Sequence, residues 1–108
     1  MIEPRELLGL IPHGLYLFGV RTETSKFIYT GSWLTQASFE PPLVVTAVRR
    51  RHRGHRLIHD AGAFAVSFLE QGQLELAKVG FGTPGVRLAE VRRRECPVTG
   101  AAVVSDCF

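Results

Sequence analysis

A chain of 108 residues, 45% hydrophobic and 21% charged, predicts one folded domain with a modest core. Its net charge of +3 is local: Arg49, Arg50, Arg51, Arg53 and Arg56 fall close together, so the surplus reads as an anion site more than a global field. No apolar run approaches the ~20 residues that cross a bilayer, and MIEPRELLGL lacks the pattern of a secretory signal, so the cytoplasm is the expected setting.

In chain order, residues 4–9 predict a short helix, with Pro4 early, Glu6 in the first turn and Gly9 as the stop. Residues 14–22, containing LYLFGV, predict a strand, residues 23–26 a polar turn and residues 27–30 a second strand, which together make a hairpin. Residues 30–40 predict a polar loop that holds the single tryptophan, Trp33. Pro41 and Pro42 forbid a helix there, and residues 42–48 (PLVVTAV) predict a β-branched, buried strand. A basic loop follows at 49–55, then a helix at 56–62 with Leu57, Ile58 and Ala61 as its apolar face and Gly62 as its stop. Residues 63–69 predict a strand, and residues 71–79 a helix that turns Leu74, Ala77 and Val79 inward. Gly80, Gly82, Pro84 and Gly85 predict a loop; RLAEVRRRE at 87–95 fits a helix and GAAVVSD at 100–106 a short strand. At least four strands with short interposed helices point to a small barrel, or an open sheet with helices at its margins.

The stretch VRRRHRGHR, residues 48–56, is the clearest charge feature. Arginines at a helix N-terminus make a phosphate receptor, and Gly54 lets the backbone approach an anion. A merely solvated basic loop is the competing reading; nucleic acid is the weaker one, because no aromatics interleave with the arginines. His52, His55 and His59 invite a metal, but no acidic or cysteine ligand stands at a motif spacing and the arginines would repel a dication. The run Arg92, Arg93 and Arg94 reads as a solvated face. Cys96 and Cys107 form no CxxC and read as free thiols.

The order TGSWLTQASFEPPLVVTAV, basic turn, HRLIHDAGAFAVSFLEQGQLELAKVGFG resembles the flavin reductase-like, FMN-binding split-barrel family, which includes the flavoredoxins. The residues that carry it are Thr30, Ser32, Trp33, Gln36, Ser38, Pro41, Pro42 and Leu43, then Leu57 and Ile58, Phe64 and Val66, and the helix from Gln73 to Ala77. The resemblance covers residues 12–82.

It implies a mainly β fold with short helices, a split β-barrel, as a single domain over residues 1–108 that is incomplete because the family's C-terminal strands are missing. A fragment, a shortened relative and a subunit completed by a partner all fit that gap. The resemblance also implies a flavin site: Thr30, Gly31, Ser32, Trp33, Leu34, Thr35, Gln36, Ala37 and Ser38 around the isoalloxazine and ribityl chain, and Arg49, His52, Arg53, Gly54 and His55 around the phosphate. FMN would carry the redox chemistry, so no side chain need be a catalytic acid or base. NAD(P)H is the implied co-substrate, a homodimer the implied assembly and a redox partner protein a further implied partner. Two departures bear on the site. Gly54 and extra arginines stand where the family often has Ser or Thr, which shifts phosphate contact toward Arg53, His52 and backbone N–H groups; GFGTPGVRL at 80–88 lacks the family's Lys-Phe. The alternative reading is a non-catalytic split-barrel remnant serving as a binding or oligomerisation module.

Overall fold

The computed structural model describes residues 1–80 and 93–104. Among these residues ten elements follow one another: α1 (Pro4–Leu8), β1 (Tyr16–Arg21), β2 (Lys26–Gly31), β3 (Leu34–Ser38), β4 (Leu43–Thr46), α2 (Arg53–Ala61), β5 (Ala65–Phe68), α3 (Leu74–Gly80), β6 (Arg93–Glu95) and β7 (Ala102–Val104).

The expected hairpin forms. Thr22 closes its turn, accepting the Ser25 N–H on Oγ1 at 3.0 Å while its own N–H donates to the Ser25 carbonyl at 2.9 Å. Residues β1 and β2 pair antiparallel from Tyr16↔Gly31 to Arg21↔Lys26, and β5 pairs antiparallel on the other edge of β1, giving the order β2-β1-β5. Strands alternate their side chains between two faces, and here both faces are covered. On one, Phe18, Val20, Phe27 and Tyr29 form a core against which Leu57, Ile58 and Ala61 of α2 pack, with Phe64 and Val66. On the other, Thr30 Oγ1 donates to the Ala77 carbonyl of α3 at 2.6 Å. There too Gly19 lies so close to the Ala102 carbonyl of β7 that no β-carbon would fit. Double coverage explains the unbroken apolar run that makes these strands easy to read.

Two further antiparallel pairs, β3-β4 and β6-β7, stand as separate ribbons, so among the described residues the sheets do not close into a barrel. Glu95 ties β6 to the hairpin, accepting from Lys26 Nζ at 2.9 Å and Arg21 at 3.4 Å.

Several expectations need correction. The polar loop at 30–40 contains the strand β3, which pairs with β4 although its sequence, LTQAS, offers no apolar alternation. The β-branched strand is not buried: Leu43, Val44 and Val45 of β4 are 51%, 56% and 54% exposed. Helix α2 starts at Arg53, because His52 supplies an N-cap the arginines hid, and ends as expected at Gly62 (φ 72°). Of the inward residues of α3, Ala77 is fully buried but Leu74 is exposed, and the Val79 side chain lies outside the described residues. The helix at 87–95 fails at its end, where Arg93–Glu95 is the strand β6; its first part, the loop glycines 82 and 85, and Cys107 lie outside the described residues. The short strand near the C-terminus is β7.

Candidate functional site

A cavity of about 350 Å³ opens between the end of β2 and the segment that runs from β4 toward α2. Residues 30–33 line one wall and residues 46–49 the other, with Phe18, Tyr29 and His52 beneath. The walls are laced together at Trp33: its carbonyl accepts from Thr46 Oγ1 at 2.7 Å and from the Ala47 N–H at 3.1 Å. The Arg49 guanidinium sits 5.5 Å from the centroid of the Trp33 ring, which itself is 47% exposed. A cation over an indole face is worth about 0.5–1 kcal/mol at such an exposed place, and here it holds a positive charge at the cavity mouth.

The floor is tight. A β-carbon at Gly31 would come within 2.8 Å of Phe18 Cε2, so glycine keeps that end open. Tyr29 stacks on Phe18 with ring centroids 4.8 Å apart and planes 7° from parallel, and its ring lies 4.7 Å from that of His52. The Tyr29 hydroxyl is buried and has no hydrogen-bond partner among the described residues, and burial pushes its pKa up to about 12. His52 Nδ1 accepts the Gly54 N–H at 2.9 Å, capping α2. An Nδ1 that accepts carries no proton, so the ring is the neutral tautomer with its hydrogen on Nε2. Burial lowers the His52 pKa below its ordinary value.

The residues expected from the sequence divide between this cavity and its surroundings. Thr30, Gly31, Ser32, Trp33, Arg49 and His52 all line it. The Thr30 hydroxyl already donates to Ala77. Leu34 packs on the core instead. Thr35, Gln36 and Ala37 are exposed along β3 and Ser38 is half-buried at its end, with Gln36 Nε2 donating to the Ser38 carbonyl at 3.5 Å. Arg53 lies over the Phe27 ring, 5.9 Å from its centroid. Gly54 is buried and its N–H is spent on His52. His55 borders a different groove, with Val44, Val45, Ile58, His59 and Phe64. Sequence reasoning passed over Phe18, Tyr29, Thr46, Ala47 and Val48 as lining residues. Each sits in an apolar strand pattern that reads as core or sheet, and nothing in that pattern marks any of them as lining a cavity.

Three comparisons bear on what this arrangement is. A family profile described as "Flavin reductase like domain" matches residues 8–108. The chain is 32% identical over 105 residues to the reductase component of 4-hydroxyphenylacetate 3-monooxygenase from Thermus thermophilus, spanning 95% of this chain and 67% of that protein. It is 28% identical to Diflavin flavoprotein A 1 of Synechocystis, of which it spans 18%. Among solved structures, the NADH:FAD oxidoreductase SgcE6 of Streptomyces globisporus superposes with a TM-score of 0.89 at 24% identity, covering 99% of this chain and 69% of that one. BorF, the flavin reductase component of a bacterial two-component tryptophan halogenase, gives 0.81 at 21% identity, covering 97% and 69%. The mainly β architecture with short helices is therefore one that flavin reductases share.

Proposed function

Since the chain belongs to the flavin reductase family, we propose that it binds FMN in the cavity between residues 30–33 and 46–49 and acts as an NAD(P)H-dependent flavin reductase. The observation that carries this reading is the convergence of Ser32, Trp33, Arg49 and His52, from separate elements, on one cavity. The residues fit a flat, anionic cofactor. The volume is at the small end of ligand sites, Gly31 leaves a gap that a side chain would fill, and the buried Tyr29 hydroxyl has no partner among the described residues. The chemistry a flavin supplies when bound is two-electron exchange with a reduced nicotinamide.

The chain's own residues then bind and orient. Trp33 and the laced walls shape the cavity, Ser32 offers a hydroxyl, and Arg49 meets negative charge. Gln36, Ser38, Arg53 and His55 belong to the same reading as outer contacts, reached when strand β3 and the start of α2 border the bound cofactor. The Thermus relative is a reductase component, and by that likeness we extend the proposal to a separate oxygenase as the electron acceptor. We also propose a homodimer, because β4 leaves Leu43, Val44 and Val45 uncovered. Among the described residues no helix is long and apolar enough to cross a membrane. A cytoplasmic setting would keep the free thiol of Cys96 reduced.

Purified chain should take up FMN at about one to one and turn yellow in an absorbance titration. Chain that is folded yet takes up no flavin would overturn the reading. A second reading, a binding module without turnover, draws on the open sheets; its mark is FMN uptake with no NADH or NADPH oxidation in the bound state.

A further inference from the structure

We propose that Tyr29 is a ligand-recognising residue of this cavity, its hydroxyl donating to the anionic end of the bound molecule beside Arg49 and His52. The proposal rests on the flavin reading above and specifies where a phosphate monoester is held.

Three observations carry it. Tyr29 is only 6% exposed, it lines the cavity, and its hydroxyl has no hydrogen-bond partner among the described residues. Buried hydroxyls without partners are rare in folded proteins, because water is lost and nothing replaces it. Three rings surround it among the described residues, Phe18 stacked on one face, Phe27 at 5.5 Å and His52 at 4.7 Å, and none of them gives the hydroxyl a hydrogen bond.

The position of the ring selects the anionic end over the flat end. A β-carbon at Gly54 would meet Tyr29 Cε1 at 2.9 Å and His52 Nδ1 at 2.8 Å, so the edge of the ring lies against the N-terminus of α2. A helix N-terminus would ordinarily receive an anion through its free N–H groups. Here the Gly54 N–H is already committed to His52 Nδ1. The task passes to side chains: the Arg49 guanidinium at the mouth, the second ring nitrogen of His52, and the phenol of Tyr29. A phenol is protonated at neutral pH in any case and burial only moves its titration further away, so it can donate to a phosphate without repelling it. The sequence expectation gave phosphate contact to Arg53 and backbone N–H groups; this arrangement moves it one layer inward.

Calorimetric titration of the full chain and its Tyr29→Phe variant, each with FMN and with riboflavin, tests this. Riboflavin carries the same ring and ribityl chain without the phosphate. The variant should bind FMN about tenfold more weakly and riboflavin within about twofold of wild type. Its thermal midpoint without ligand should be equal or higher, because the phenylalanine buries no unmet donor. Arg49→Gln should show the same selectivity for FMN and serves if Tyr29→Phe does not fold. Unchanged FMN affinity, equal losses for both flavins, or a lowered midpoint without ligand would each overturn the assignment, the last by giving the hydroxyl to the fold. A wild-type chain that binds neither flavin overturns the functional reading and this proposal together, and that result is visible before any variant is made.

Discussion

Gly54 and Gly62 lie on one helix and respond to alanine for different reasons. At Gly54 a β-carbon would press on His52 Nδ1 and Tyr29 Cε1 at 2.8 and 2.9 Å. Alanine gains about 1 kcal/mol of helix propensity, yet crowding of this kind costs about 1–3 kcal/mol and displaces the cap. Gly54→Ala should therefore destabilise, as urea denaturation will show. At Gly62 nothing lies within 4 Å of the same β-carbon, but φ is 72°. Gly62→Ala should cost about 1 kcal/mol through the left-handed backbone alone. His52 adds a pH dependence whose sign is fixed. The fold favours its neutral form, since burial lowers its pKa from 6.5 and Nδ1 is needed as an acceptor. That stabilisation is complete above pH 6.5 and drains away as pH falls through the lowered value, because the unfolded chain takes the proton first. His52→Asn keeps a capping acceptor and should flatten the acid side of a plot of urea midpoint against pH. At the cavity mouth, Arg49→Glu should weaken FMN more than Arg53→Glu, because Arg49 lines the cavity and Arg53 lies over Phe27; equal losses in a titration would count against the site.

Among the elements, α3 is held to β2 by a buried bond as well as by the packing of Ala77. Thr30→Val removes the donor to the Ala77 carbonyl and leaves that carbonyl without this partner, a loss of about 1 kcal/mol. Hydrogen exchange should quicken in α3 more than in α2. Legibility also varied by element. The β1–β2 hairpin was plain because both faces are buried and the turn carries Thr22 and Ser25. Strand β3 was opaque because Thr35, Gln36 and Ala37 are exposed and no period-2 pattern survives; its pairing with β4, not its composition, makes it a strand. The site was legible in part for a related reason. Polar residues in a loop, such as Ser32, advertise themselves, and so do clustered arginines. Tyr29 did not, because within KFIYTG a tyrosine reads as core until its hydroxyl is found without a partner.

At the scale of the molecule, the β3-β4 ribbon has no strand neighbours beyond its own pair among the described residues, and β4 exposes Leu43, Val44 and Val45 in succession. Apolar strips of this kind mark association surfaces. Sedimentation should report a mass above the monomer, and Val44→Lys should shift it toward the monomer while leaving the β2-β1-β5 sheet folded. The ion pairs of Glu95 with Lys26 and Arg21 are half-exposed and should contribute little; they orient the β6-β7 ribbon more than they stabilise it.

Trp33 is the single tryptophan of the chain, and it sits in the cavity wall with a guanidinium over its ring. Its indole emission is therefore an unlabelled reporter of this one place. No second indole dilutes the signal, and a flavin seated against that wall would quench it by energy transfer. The occupancy of the cavity, the rate at which a ligand arrives and the displacement of Arg49 can all be followed optically in the unmodified protein.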